Sequence, residues 1–314
     1  MEQVTSADLQ HFLDEVVNLR REDVAAYREQ VRHLQERLTL YVAERPDFVL
    51  QKMLRYGSLA KGTALSTLSE IDVAVYLRQE GSSAKDLRAV LDEVRDLLLQ
   101  VYPQMKPSQV TVDPPAVTVR FEGSGLSVDV VPVLPNGKPD DRGLLVLRAG
   151  GGWVETSIPL QLEFIRARAQ AEPQFRPLIR LTKWWAQECD VPISSFMLEL
   201  LWAHRFGARQ VPEDLQEALL EFFGYIVRSN LAERIIFTDN YPAHQVPAFS
   251  HPVQIADPVN PANNVAAAVT DQERRRIVEL AHRGLEAVAL ASLASSRGRG
   301  TECYQRVFGT RFPG

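Results

Sequence analysis

The stretch Tyr56-Gly57-Ser58-Leu59-Ala60-Lys61-Gly62-Thr63-Ala64-Leu65-Ser66-Thr67-Leu68-Ser69-Glu70-Ile71-Asp72-Val73-Ala74-Val75-Tyr76-Leu77 decides how the chain is read. It opens on a small-residue turn with hydroxyls and a lysine, and it closes in an apolar run whose first positions hold two carboxylates. Glycine has no side chain to hold a ligand off, so Gly57-Ser58 lets backbone and hydroxyl donors come close to anionic oxygens. Glu70 and Asp72 are two residues apart, so on a strand starting near Ile71 both side chains leave the same face of the sheet. Two anions on one face repel each other unless a cation lies between them. Oxygen-only ligation of that kind suits magnesium or manganese held partly by substrate phosphates.

A second stretch supplies a third carboxylate. In Ser127-Val128-Asp129-Val130-Val131-Pro132-Val133 the one acidic residue is Asp129, set in an apolar, β-branched run. A carboxylate buried there without a partner would be costly. Glu70, Asp72 and Asp129 therefore form a candidate catalytic and metal-binding triad, of the kind a two-metal site requires.

Composition narrows the field. The 314 residues are 45% hydrophobic, enough for a substantial core in one large or two ordinary domains. No apolar run approaches the ~20 residues of a membrane span, and the first residues lack a basic-then-apolar signal, so no membrane association and a cytoplasmic location are the expectations. The net charge of −5 argues against a protein that grips a nucleic-acid duplex through many phosphates. Cys189 and Cys303 are too few for a disulfide framework and are not spaced with His as zinc ligands. Arg274-Arg275-Arg276 and Arg297-Gly298-Arg299 read as solvated faces.

Over residues 6–44 Leu9, Phe12, Leu13, Val16 and Val17, then Val24, Tyr27, Val31, Leu34, Leu38 and Tyr41 recur mostly at three- and four-residue steps. That spacing predicts one long helix, or two broken near Arg20-Arg21-Glu22, started by Thr5 or Ser6 and stopped by Pro46. Residues 48–56 read as a strand or helix end, 71–77 as a strand, Gly81-Ser82-Ser83 as a turn and 84–101 as an amphipathic helix. Short strands follow at 110–112, 116–121, 126–133 and 144–147, then a hinge-like Gly150-Gly151-Gly152. Beyond it the pattern is helical, over 159–171, 177–189, 194–206, 212–227 and 270–294. A lobe boundary is placed near 150, giving domains 1–150 and 151–314. Trp184, Trp185 and Trp202 fit helix core faces as well as a platform for a base.

Gly-Ser, Lys-Gly-Thr, Ser-Glu-Ile-Asp and Val-Asp-Val-Val-Pro together resemble the nucleotidyltransferase superfamily of DNA polymerase β. Within it the resemblance is to the 2′-5′ oligoadenylate synthetase and cyclic GMP-AMP synthase group and its bacterial relatives, the cGAS/DncV-like nucleotidyltransferases. Leu178-Ile179-Arg180-Leu181-Thr182-Lys183-Trp184-Trp185 and Ser195-Phe196-Met197-Leu198-Glu199-Leu200-Leu201 resemble that family's Lys-x-Trp helix and the helix after it. Asp257-Pro258-Val259-Asn260-Pro261 with Asn263-Asn264 resembles the Asp-Pro-x-x-Pro-x-x-Asn stretch near the end of oligoadenylate synthetase cores, and Phe308-Gly309-Thr310-Arg311-Phe312-Pro313 resembles the Phe-Gly-x-x-Phe-Pro ending of the bacterial enzymes, so the resemblance spans most of the chain. One departure stands out: the family usually has Asp where this chain has Glu70, a ligand longer by one methylene.

The resemblance implies an α+β, two-lobed polymerase-β-like fold, with a mixed β-sheet lobe, a long N-terminal spine helix and a helical C-terminal lobe. It implies metal-dependent nucleotidyl transfer on two Mg²⁺ or Mn²⁺ ions at Glu70, Asp72 and Asp129, with Asp129 activating an acceptor ribose hydroxyl. It assigns the nucleotide to Gly57, Ser58, Lys61, Lys183, Ser195 and Phe196, with the lysines and hydroxyls on the triphosphate and Phe196 stacked on the donor base. The implied substrates are ribonucleoside triphosphates (ATP, with GTP, UTP or CTP), and the product is a cyclic or linear oligonucleotide messenger of bacterial anti-phage signalling. A regulatory protein is the further partner expected. Three alternatives stay open: a relative that acts on RNA, a protein or a small molecule; a degenerate module that binds nucleotide without turnover; and a purely structural helical scaffold, against which the carboxylate constellation argues. Metal-dependent pyrophosphate release separates the second from an enzyme.

Overall fold

The computed structural model of the protein describes residues 3–43, 48–79, 87–123, 125–146, 152–208 and 211–314. The expected turn at 81–83, the start of the helix expected from 84, Leu147 and two of the three hinge glycines lie outside the described residues. In chain order the elements begin with α1 (Ser6–Phe12), α2 (Arg21–Ala43), β1 (Phe48–Arg55), α3 (Gly57–Lys61), β2 (Glu70–Gln79) and α4 (Leu87–Val101). Then come β3 (Val110–Asp113), β4 (Ala116–Phe121), β5 (Leu126–Pro135), β6 (Gly143–Val146) and β7 (Trp153–Thr156). The remainder is α5 (Ile158–Ala171), α6 (Phe175–Glu188), α7 (Ser195–Gly207), α8 (Leu215–Ser229), β8 (Arg234–Ile235), β9 (Gln254–Ile255), α9 (Asp271–Ser292) and α10 (Arg297–Phe308).

Two compact units result. Leu19–Gly62 and Thr67–Glu163 make a sheet unit; Met1–Asn18, Thr63–Ser66 and Phe164–Gly314 make a helical unit. These limits differ from a single cut near 150, because two segments early in the chain are packed into the helical core. The N-terminal helical run is two helices: α1 passes through a wider turn at Leu13–Val17 and stops at Asn18, whose backbone is extended. Leu9, Phe12, Leu13 and Val17 are buried among the C-terminal helices, whereas Val31, Leu34, Leu38 and Val42 of α2 are buried against the sheet.

In the sheet unit the strand order is β1-β2-β5-β4-β3, with β6 and β7 continuing from β5. β2 and β5 are parallel neighbours at the centre, and β1 and β4 flank them antiparallel. Alternation divides the central strands. Ile71, Val73, Val75 and Leu77 of β2, with Leu126, Val128 and Val130 of β5, join the core formed with α2 and α4. The intervening residues therefore stand on the opposite face, where Ala74, Tyr76 and Val133 pack with Ile158 at the start of α5.

The helical unit is built on aromatic residues. Trp184, Trp185 and Trp202 are at most 1% exposed, so they belong to the core and offer no platform to a base. Trp184 Nε1 donates to Phe308 O and Trp202 Nε1 to Thr182 Oγ1, each at 2.9 Å. The Asp257–Asn264 segment is a set of Asx turns, with Asp257 Oδ1 accepting from Val259 N at 2.8 Å and Asn264 Oδ1 from Ala266 N at 3.1 Å. No helix among the described residues is long and apolar enough to cross a membrane.

Candidate active site

The parallel pairing of β2 with β5 sets Asp72 directly opposite Asp129, with Glu70 opposite Ser127. Strands that neighbour one another lie about 4.8 Å apart, so the two aspartates are as close as the sheet allows, on the face that α2 and α4 leave uncovered. The charge this concentrates is moderated from the next strand. Thr118 of β4 is opposite Asp129 on its other side, and its Oγ1 donates to Asp129 Oδ1 at 2.6 Å. Tyr56, between β1 and α3, is beside the same carboxylates, its backbone N–H donating to Asp72 O at 3.0 Å. Burial, and then the charges of Asp72 and Asp129, push the Tyr56 phenol well above its ordinary range, so it stays protonated.

Gly57 occupies a position where any side chain would displace the Asp72 carboxylate. Its φ is +66°, and a Cβ built on it would lie 1.7 Å from Asp72 Oδ2 and 2.4 Å from Asp72 Cγ. The turn after β1 is thus wrapped onto the Asp72 carboxylate, and only a residue without a side chain permits that approach. The expected Gly-Ser loop is the short helix α3; Ser58 is half-buried in its first turn and Lys61, at its end, is buried.

All six sequence-selected residues of this region, Gly57, Ser58, Lys61, Glu70, Asp72 and Asp129, belong to the sheet unit. Among the described residues no three His, Cys, Asp or Glu side chains are gathered as a finished metal site. Glu70, at the exposed start of β2, has Ser127 rather than a carboxylate beside it. The donor set still fits a hard divalent cation, since two carboxylates side by side with a third on the same strand face offer oxygen alone.

Lys183, Ser195 and Phe196 belong to the helical unit. Lys183 is 9% exposed, and its Nζ donates to Thr63 O at 2.9 Å. Thr63 also uses its side chain, Oγ1 donating to Glu199 Oε1 at 2.9 Å, and Glu199 is 1% exposed. The rest of this short strap is held as firmly, with Leu65 bridged to Asn18 and Ser66 N donating to Val17 O at 2.8 Å. The N-cap of α7 is Ser194, whose Oγ accepts from Met197 N at 3.1 Å. Ser195 is therefore not spent on capping; it is exposed in the first turn, where a helix favours anions. Phe196 is half-buried against the helical core.

Sequence reasoning passed over Thr118, Tyr56, Thr63 and Glu199. Glu199 carried the same signal as Asp129, a lone acid in an apolar run. Thr118 carried none, because threonine is ordinary in a strand and only the register reveals its neighbour.

The Second Messenger Oligonucleotide or Dinucleotide Synthetase domain matches residues 3–157. The cyclic AMP-AMP-AMP synthase of Escherichia coli (strain MS 115-1) is 42% identical over 320 residues, covering 100% of this chain and 99% of that protein. The solved structure of E. coli MS115-1 CdnC with ATP has a TM-score of 0.90 and 42% identity, with 100% of both chains covered. A chain of the E. coli MS115-1 CdnC:HORMA-deltaN complex has a TM-score of 0.88 and 43% identity, with 99% of each covered. These matches bear out the α+β, polymerase-β-like fold, and they identify the chain as a nucleotidyltransferase of the cGAS/DncV-like family, the synthetases of oligonucleotide second messengers.

Proposed function

We propose that this protein joins ATP units into a cyclic oligoadenylate, cyclic AMP-AMP-AMP foremost, as the signal of a CBASS anti-phage response. Identity of 42% to a cyclic AMP-AMP-AMP synthase supports the product, and the Asp72–Asp129 register carries the chemistry. Glu70, Asp72 and Asp129 would hold two Mg²⁺ or Mn²⁺ ions, which when bound lower the pKa of the acceptor hydroxyl and offset charge on the phosphates. Asp129 takes the proton of the acceptor ribose hydroxyl. That oxygen bonds to the donor α-phosphorus while the bond to the bridging β-phosphate oxygen breaks, and pyrophosphate leaves. Ser58, Lys61, Lys183 and Ser195 hold the triphosphate, with Gly57 admitting its close approach, and Phe196 stacks on the donor base. Such positioning supplies much of the rate in phosphoryl transfer. Repetition lengthens the chain, and a last transfer within it closes the ring.

The complex formed by the related CdnC with HORMA-deltaN supports a HORMA-type protein as the regulatory partner. The test is incubation of the purified protein with the four ribonucleoside triphosphates, singly and mixed, with Mg²⁺, then phosphatase digestion and mass spectrometry. ATP alone is expected to give a phosphatase-resistant ring of AMP units. A ring that requires another base, or only linear products, would overturn the product assignment.

A further inference from the structure

We infer that Thr118 is a positioning residue for the catalytic carboxylate of Asp129, a role that rests on the reading of Asp129 given above. Asp129 has one strand neighbour on each side: Asp72 on β2 and Thr118 on β4, both directly opposite it. A carboxylate on a strand turns about its terminal bond, and its two oxygens exchange places unless something holds one of them. Thr118 Oγ1 holds Oδ1 on the β4 side at 2.6 Å, within the range of O–H···O hydrogen bonds. With Oδ1 engaged there, Oδ2 is the oxygen that a shared cation or an acceptor hydroxyl would use. Threonine suits the task, because its β-branched side chain is stiff about χ1 and favours the strand that carries it. Its neighbours on β4, Val117 and Val119, are fully buried on the other face, which pins the register that brings the hydroxyl to Asp129.

Removal of the hydroxyl should therefore loosen Asp129 without touching the nucleotide's own contacts. Groups that orient a metal ligand typically contribute 10–100-fold in metal affinity or activity. Thr118→Val keeps the shape and strand preference of the side chain, and Thr118→Ser keeps the donor. Three quantities are measured on the full chain: the melting temperature, kcat and KM for ATP, and Mn²⁺ affinity by electron paramagnetic resonance in the presence of a non-hydrolysable ATP analogue. The expected result for Thr118→Val is a wild-type melting profile, with kcat and Mn²⁺ affinity each lower by about 10–100-fold and KM for ATP changed by no more than about 3-fold. Thr118→Ser should recover most of both losses. Wild-type kcat and Mn²⁺ affinity in Thr118→Val would overturn the inference, as would a serine variant as impaired as the valine one. Asp129→Asn separates the two readings. If it retains turnover, the role of Asp129 itself fails; if it is inactive while Thr118→Val is normal, only the role of Thr118 fails.

Discussion

Substitution of Gly57 by alanine asks whether the turn after β1 sets the position of Asp72. Two costs combine at this residue. The first is backbone strain: a left-handed conformation costs an L-residue roughly 1–2 kcal/mol relative to glycine. Gly137 supplies a control for that term, because its φ is +76° and a Cβ there would meet nothing within 4 Å. The second cost is specific to Gly57, where the new methyl would stand 1.7 Å from Asp72 Oδ2. Carbon and its non-bonded neighbours settle at roughly 3.5 Å, so the carboxylate must retreat by well over an ångström. Asp72 is half-buried and can rotate, so stability should fall in Gly57→Ala by about the same 1–2 kcal/mol as in Gly137→Ala. Activity should separate the two variants. A displacement of about 1 Å at a reacting centre costs on the order of 100-fold, so Gly57→Ala should lose at least that much kcat while Gly137→Ala loses little. The assay is denaturant unfolding beside the rate of pyrophosphate release from ATP. Equal activity in the two variants would refute the claim that Gly57 is required by the Asp72 carboxylate.

Three further outcomes follow from the helical unit. Thr63→Val removes a hydroxyl donor from Glu199, a carboxylate water does not reach, and should lower stability by about 1–3 kcal/mol in urea unfolding, with Thr63→Ser close to wild type. Phe312→Ala empties a ring that lies 4.9 Å from Tyr304 and 5.1 Å from Phe12, and a loss of about 3–5 kcal/mol is expected in the same measurement. Burial holds the His204 imidazole below its ordinary range, Arg205 adds to this, and Glu233 opposes it. The unfolded chain therefore binds the proton first as pH falls through about 6.5, and stability should decline below that pH; His204→Gln should flatten the decline in melting temperature.

The central strands and the carboxylates were legible because their signals are local. The two-residue step from Glu70 to Asp72 fixes a shared face, and a lone acid in a β-branched run marks Asp129. That Asp72 and Asp129 are direct neighbours was not legible, because a parallel register is set by the packing of Ile71, Val73, Val128 and Val130 rather than by either strand alone. Helix α3 is five residues long, too short for any periodicity to show, and reads as a loop. Helix α10 begins Arg297-Gly298-Arg299-Gly300, and each glycine costs about 1 kcal/mol of helix preference; burial of Tyr304, Val307 and Phe308 offsets this. The strap Thr63–Ser66 joins the helical unit through hydrogen bonds to residues far away in sequence, a kind of order that composition and spacing do not encode.

The most direct test of the account is turnover of ATP by Asp129→Asn beside the wild-type protein, with Mg²⁺ present and melting profiles showing that both are folded. The isosteric amide keeps the shape of the side chain and removes both its charge and its capacity to take a proton. The account predicts pyrophosphate release and a phosphatase-resistant cyclic product from the wild type, and neither from Asp129→Asn. Equal product from a folded Asp129→Asn would contradict it.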